Sequence, residues 1–210
     1  TNPETSIIHA AQAVFLRKGL QAASMNDIAK QAGISRPSLH YYHRTKHALF
    51  QAILIEAVEN IIPKIAPIVK SDLPLIRKAE EIVDHYHEVL LENPLLPRFL
   101  IQEIQRDPLA LLDLLQKHSD VVELALYLRQ THAHELRDDL LPDEPIAHFF
   151  NTLYGLLFFP FLTKPLLDEI IFKDDPAAFA KFIAGRKVII LRMVASMLKP
   201  RIGAVKKTKR

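Results

Sequence analysis

The chain has 210 residues, 49% of them hydrophobic, a formal net charge of +3 and no cysteine. That length and apolar content suffice for one large or two small packed domains, and the lack of cysteine excludes disulfides, thiolate metal sites and a thiol nucleophile. The charge is unevenly placed: residues 1–47 carry six basic and two acidic side chains, residues 48–198 fifteen and twenty-two, and the last twelve residues six and none. A basic start on an acidic body suits a chain in which only the first part meets phosphates, because each neutralised phosphate releases a counterion.

Helical periodicity recurs from end to end, whereas alternating β-branched strands with glycine turns do not, so the expected fold class is all-α. Residues Thr1 to Ser6 are polar and nothing after them resembles a signal peptide, which points to the cytoplasm. A first helix is expected from Thr5 to Lys18, with Ile7, Ala11, Val14 and Phe15 inward and Arg17 and Lys18 at the negative end of its dipole.

The next stretch, SMNDIAKQAGISRPSLHYYHRTK from Ser24 to Lys46, reads as two short helices joined by a three-residue turn, the spacing of a helix-turn-helix that reads DNA. Ser24 caps the first of them, Asp27 reaches back to a free amide, and Met25, Ile28, Ala29 and Ala32 share one apolar face. Gly33 supplies the left-handed residue that ends the helix. Ser35 caps the second helix and Pro37 fits its first turn. With Leu39 and Ile34 packed inward, that helix is left with Arg36, Pro37, Ser38, His40, Tyr41 and Tyr42. These are donors, aromatic edges and an apolar contact suited to a thymine methyl.

With its flanks, the segment Ile7 to Phe50 resembles the N-terminal domain of the TetR family of bacterial transcription regulators. The resemblance rests on the first helix ending at Gly19, the Ser24 to Ile28 entry, the Ala32-Gly33-Ile34-Ser35 turn, the Ser38-Leu39 pair, the aromatics at 41 and 42, and Lys46 followed by Ala48-Leu49-Phe50. The chain departs from the family pattern at His40, where an aromatic is usual, and at His43, where a buried aromatic or aliphatic is usual. The resemblance implies a dimer that reads a palindromic operator. Arg36, Ser38 and Tyr41 then approach base edges with Pro37 against a methyl, while Ser24, His40, Tyr42, Thr45 and Lys46 hold phosphates. Repression is the expected outcome, and activation would use the same head.

Beyond this motif, Thr45 caps a fourth helix whose stripe Ala48, Leu49, Ile53, Ala57 and Ile61 runs until Pro63 and Pro67 kink or end it. A fifth is expected between Pro74 and Asn93, and others over about 95–105, 108–118, 119–138 and 145–163. The last starts at Asp174-Asp175-Pro176 and keeps an apolar stripe as far as Lys199. The run Phe149 to Leu162 contains Asn151 and Pro160 and falls short of the ~20 residues needed to span a bilayer, so it is read as a core or interface helix. The expected organisation is a DNA-binding domain over 1–47, an effector-binding and dimerisation domain over 48–199, and a basic, disordered tail over 200–210.

No phosphate-cradling glycine loop, serine elbow or zinc spacing occurs, so neither a cofactor nor an enzymatic activity is expected. Glu81, His85 and Glu88 share a helix face but read as a charged surface, and no metal is expected there. The last helix and 146–162 carry more apolar surface than one small body covers. By resemblance they form the subunit interface, through Phe150, Leu157, Phe158, Phe182, Ile189, Ile190, Met193 and Met197. The family commonly binds a small-molecule effector within the body, and Phe99, Gln102, Tyr127, Phe150 and Tyr154 are the residues expected to line such a cavity. The competing reading is an all-helical small-molecule carrier or cofactor-free enzyme with a non-functional helix-turn-helix, which would show no salt-sensitive DNA binding.

Overall fold

The computed structural model of the chain describes residues 3–141, 143–173 and 175–200; Asp174 and the expected tail from 201 onward lie outside them. The regular elements among the described residues are helices: α1 Pro3–Ala22, α2 Met25–Ala32, α3 Arg36–Tyr42, α4 Lys46–Lys70, α5 Leu75–Glu92, α6 Leu96–Arg106, α7 Pro108–His118, α8 Val121–His132, α9 Pro145–Leu162, α10 Lys164–Leu167 and α11 Pro176–Ser196. A 3₁₀ turn follows α8 and a π-helical turn over Asp168–Phe172 follows α10. They fall into two compact units, Thr1–Pro63 with Val89–Val121, and Lys64–Glu88 with Val122–Arg210. Helices α4 and α5 each supply residues to both, so this division does not follow a cut after residue 47.

The first unit is built around the apolar faces of α1, α2, α3 and α4. Ile7, Ala11, Val14 and Phe15 from α1 meet Ile28 and Ala29 of α2, Leu39 of α3, and Leu49, Phe50 and Ile53 of α4, all of them buried. Phe99 of α6 closes this core, its ring 4.0 Å from Phe50 and 6.1 Å from Phe15 by centroid. Continuous helical geometry in α1 is broken at Gly19, where φ is 73° and ψ 163°. Only glycine adopts such values without strain, which is why the apolar stripe stops there.

In the second unit rings join α9 and the π-helical turn to α11, with Phe161 5.4 Å from Phe179 and Phe172 5.3 Å from Phe182. Pro160 lies inside α9 and has no N–H to give the Leu156 carbonyl four residues earlier. Arg186 of α11 takes that acceptor at 3.2 Å, so a helix defect becomes an interhelical bond. In α4 the two prolines neither end nor visibly interrupt the helix, which runs on to Lys70. The expected helix over 119–138 stops at His132. Leu136 is buried and extended, and its flanks pair with the residues that follow α11, Arg137 N–H to Met197 O at 2.9 Å and Lys199 N–H to Glu135 O at 2.8 Å. Burial of Leu136 together with this short antiparallel bridge outweighs continued helix.

Candidate nucleic-acid interface

Ser24 opens α2 with a complete capping box: the Asp27 amide donates to Ser24 Oγ at 3.2 Å and the Ser24 amide to Asp27 Oδ2 at 3.1 Å. Lys18 Nζ holds the other carboxylate oxygen at 2.6 Å. The bonds from Lys18 and then Ser24 bring the Asp27 carboxyl down to about 2 from 3.8. Gly33 ends α2 in the left-handed conformation, φ 69° and ψ 26°, and the Ile34 amide reaches back to Ala29 O at 3.0 Å. These bonds fix the angle at which α3 leaves the turn.

Ser35 caps α3 by accepting from the Ser38 amide at 3.2 Å, and Pro37 sits in its first turn. Leu39 is the one buried residue of this helix. Arg36, Pro37, Ser38 and Tyr41 are exposed, Tyr41 at 85%, while Tyr42 is 40% exposed and His40 half-buried. Arg36 Nε points to His40 Nε2 at 3.4 Å, Ser38 Oγ lies 2.9 Å from Ser35 Oγ, and the two tyrosine rings stand edge to face at 5.3 Å. A short helix that buries one leucine and turns a guanidinium, a hydroxyl and two phenols outward offers little to its own fold. Its dimensions and donors match the edges exposed in a major groove.

The remaining phosphate candidates lie where the helices begin. Thr45 Oγ1 accepts from the Ala48 amide at 3.0 Å and so caps α4, and Lys46 Nζ donates to Ala23 O at 3.1 Å, tying the start of α4 to the entry of α2.

His43 is the exception to the expected pattern. It caps α3 through its amide, which donates to Leu39 O at 2.8 Å, but its ring is buried and Nε2 has no hydrogen-bond partner, with a Glu4 oxygen 3.8 Å away. Burial pushes its pKa below 6.5, opposed by Glu4. The unfolded chain therefore binds the proton first, and the folded state loses stability as pH falls below 6.5. For Asp27 the sign is the usual one for a carboxylate: its contribution is present above 3.8 and is lost as pH falls through about 2. The His43→Leu variant should match the wild type to within about 1.5 kcal/mol at neutral pH, as shape-conserving swaps do, and should lose less stability between neutral pH and pH values below 6.5. Urea midpoints at the two pH values check this; equal acid losses would remove His43 from the account.

Of the five residues expected to line an effector cavity, the structure brings two together. Phe150 and Tyr154 stack with centroids 6.0 Å apart, and Tyr154 shares a 3.2 Å hydrogen bond with Tyr86 and lies 5.4 Å from Phe158. Tyr127 stands beside Lys78, whose Nζ is 6.0 Å from its ring. Phe99 belongs to the core of the first unit, clasped by Phe15 and Phe50, and also lines a cavity of about 230 Å³ in that unit with Gln12, Ile53, Asn93 and Leu96, apart from the other expected lining residues. Gln102 also belongs to that unit, and its buried Oε1 has no hydrogen-bond partner.

The expected interface residues divide likewise. Ile189 and Met193 are 47% and 52% exposed, and Phe150, Phe158 and Phe182 are half-buried. Leu157, Ile190 and Met197 are buried within the chain and have no surface to offer. Phe159 at 62% and Val188 at 54% are further exposed apolar residues of α9 and α11; they follow Phe158 and precede Ile189 directly, a shift of one residue that sequence periodicity does not resolve. His85 lies 3.9 Å from Glu88, and no group of three metal-ligating side chains converges among the described residues.

Residues 7–53 match the sequence pattern of the family described as "Bacterial regulatory proteins, tetR family". The N-terminal part of this chain is thus a TetR-family domain. The whole-chain comparisons agree: the HTH-type transcriptional regulator UidR of Escherichia coli strain K12 is 27% identical over 89% of this chain and 90% of its own length. Among solved structures, the ketosteroid transcriptional regulator KstR2 of Mycobacterium tuberculosis superposes with a TM-score of 0.63 at 15% identity, covering 95% of this chain and 97% of the other. The transcriptional regulator FadR of Bacillus subtilis, in complex with stearoyl-CoA, superposes with a TM-score of 0.62 at 15% identity, covering 93% and 99%. The TetR-type fold therefore extends over the body as well as the head.

Proposed function

We propose that this TetR-family regulator is a cytoplasmic repressor that binds a palindromic operator as a homodimer and is released by a small-molecule effector. The observation that carries the reading is α3, which is held by a single buried leucine between two capped ends and keeps Arg36, Pro37, Ser38 and Tyr41 outward. Two such helices about 34 Å apart would enter successive major grooves. Residues 1–47 serve as the head and 48–199 as the effector-binding and dimerising body. Ser24, His40, Tyr42, Thr45 and Lys46 hold the backbone, while Arg36, Ser38 and Tyr41 read bases and Pro37 meets a methyl.

Dimerisation is supported by the exposed apolar residues Phe159, Val188, Ile189 and Met193 on α9 and α11. An effector site in the body is supported by the cluster of Phe150, Tyr154, Tyr86 and Phe158, which suits an effector with an apolar, ring-bearing body and a polar group for the phenols. The acyl and steroid chemistry named for two structural relatives is in keeping with such a molecule. A ligand of this kind would release DNA only if it preferred the conformer whose heads no longer match the groove spacing.

The test is selection of bound sequences from a random pool, together with DNA from the gene's own upstream region, titrated with salt. Arg36→Ala should lose about 1–3 kcal/mol on the preferred site and relax the preference at one position of each half-site, whereas Lys46→Ala should weaken all sequences alike. Tyr42→Ala should weaken binding without changing the selected sequence. A folded protein that enriches no sequence and shows no salt-sensitive binding would favour a small-molecule carrier instead.

A further inference from the structure

Between α1 and α2 lies an open cleft of about 370 Å³ lined by Arg17, Lys18, Asp27, Lys30 and Gln31. Its single carboxylate is already committed, to Lys18 at 2.6 Å and to Ser24 through the capping box. That pair cancels, and Arg17 and Lys30, both exposed, are left with no carboxylate partner among the described residues. Two unmatched cations and an amide donor facing one cleft form a receptor for an anion. A guanidinium and an ammonium suit phosphate oxygens in particular.

The position of the cleft says which phosphates. Lys18 bonds Asp27 and Asp27 bonds Ser24, the cap of α2. The preceding residue, Ala23, accepts from Lys46. The cleft is thus joined by an unbroken chain of hydrogen bonds to the N-terminal end of α2, and in helix-turn-helix proteins the first helix of the pair crosses the sugar-phosphate backbone.

We infer that Arg17 and Lys30 grip backbone phosphates that flank each half-site, beyond the bases read by α3. The inference rests on the reading of α3 as the base-reading helix. It makes the operator longer than its readable sequence, with flanks that contribute affinity and salt sensitivity but no base preference.

The experiment compares the selected operator in two duplexes, one trimmed flush with the half-sites and one extended by half a helical turn on each side. The wild type, Arg17→Gln, Lys30→Gln and the double variant are titrated with salt on both, after thermal unfolding shows all four folded. The wild type should bind the long duplex more tightly and with a steeper salt dependence. Each single variant removes one contact per protomer, so the slope on the long duplex should fall by about 2, which makes the affinity loss between about 50 and 200 mM salt roughly tenfold smaller. On the trimmed duplex the variants should bind like the wild type.

Unchanged slopes on the long duplex would overturn the inference and leave these charges to an acidic protein partner. Equal weakening on both duplexes would overturn it too, since the substitutions would then act within the read region. If the wild type bound neither duplex selectively, the reading of α3 itself would fail and this inference with it.

Discussion

Replacing Lys78 with methionine should lower the free energy of unfolding by about 2–4 kcal/mol, a larger loss than substitution of an exposed lysine elsewhere in the chain produces. Lys78 is fully buried on α5, and its ammonium donates to the carbonyls of Val69 and Ser71, the second at 2.6 Å. Those carbonyls belong to the last turn of α4 and the residue after it, where a helix has acceptors without partners and a favourable site for positive charge. On the other side of the same junction, Glu135 accepts from the Leu75 amide at 3.1 Å and so caps α5. Burial pushes the Lys78 pKa below 10.5, and Glu135 and Asp72 oppose that shift. Methionine has nearly the same volume, so packing survives while two acceptors lose their donor and Glu135 loses its counter-charge. Each acceptor left buried without a donor costs about 1–3 kcal/mol, offset in part because an ammonium no longer has to be desolvated. Urea unfolding gives the total, and hydrogen exchange at the end of α4 should show the loss concentrated there. A change under about 0.5 kcal/mol, the range of ordinary surface substitutions, would mean the ammonium does no more than occupy space.

Lys78 also shows where the sequence was legible and where it was not. It stands three residues after Leu75 and four before Ile82, on the buried side of α5, yet a lysine in such a stripe reads as an interruption rather than as a member. The helix-turn-helix was legible in detail because its signals are local: Ser24 with Asp27, Gly33, and Ser35 with Pro37 each act within a few residues, and each does what its chemistry dictates. Features that depend on distant partners were not. Phe99 looked like an isolated aromatic on an apolar helix, and only the approach of Phe15 and Phe50, far away in sequence, makes it core. The end of α8 depends on pairing with residues 197–199, and the passage of α4 through Pro63 and Pro67 on packing that outweighs local helix preference. In the α1–α2 cleft, Arg17, Lys18 and Lys30 were legible as positive charge, but not as a group with one neutralised member.

The neighbouring residues Ile189 and Ile190 should respond to the same substitution in opposite ways. Ile189 is 47% exposed, one of the exposed apolar residues with Phe159, Val188 and Met193, whereas Ile190 is fully buried in the protomer. Ile190→Asp places a carboxylate at a position closed to water, so the protein should unfold or aggregate. Ile189→Asp together with Met193→Asp places two carboxylates on a surface that water already reaches in the monomer, and each protomer should keep its fold. In a symmetric dimer that closes on this face, the seam receives two carboxylates from each protomer, so like charges are crowded into a desolvated seam. The double variant should therefore run as a monomer in sedimentation experiments, with the helicity of the wild type. Its affinity for the palindromic operator should fall by about 10²–10⁴-fold, because the second half-site is then no longer bound intramolecularly, while its affinity for a single half-site should stay close to that of one wild-type head. A folded double variant that remained dimeric would move the interface off this face of α9 and α11. One that became monomeric yet kept full operator affinity would separate DNA binding from dimerisation, and the release of DNA by an effector acting through the spacing of two heads would have to be given up.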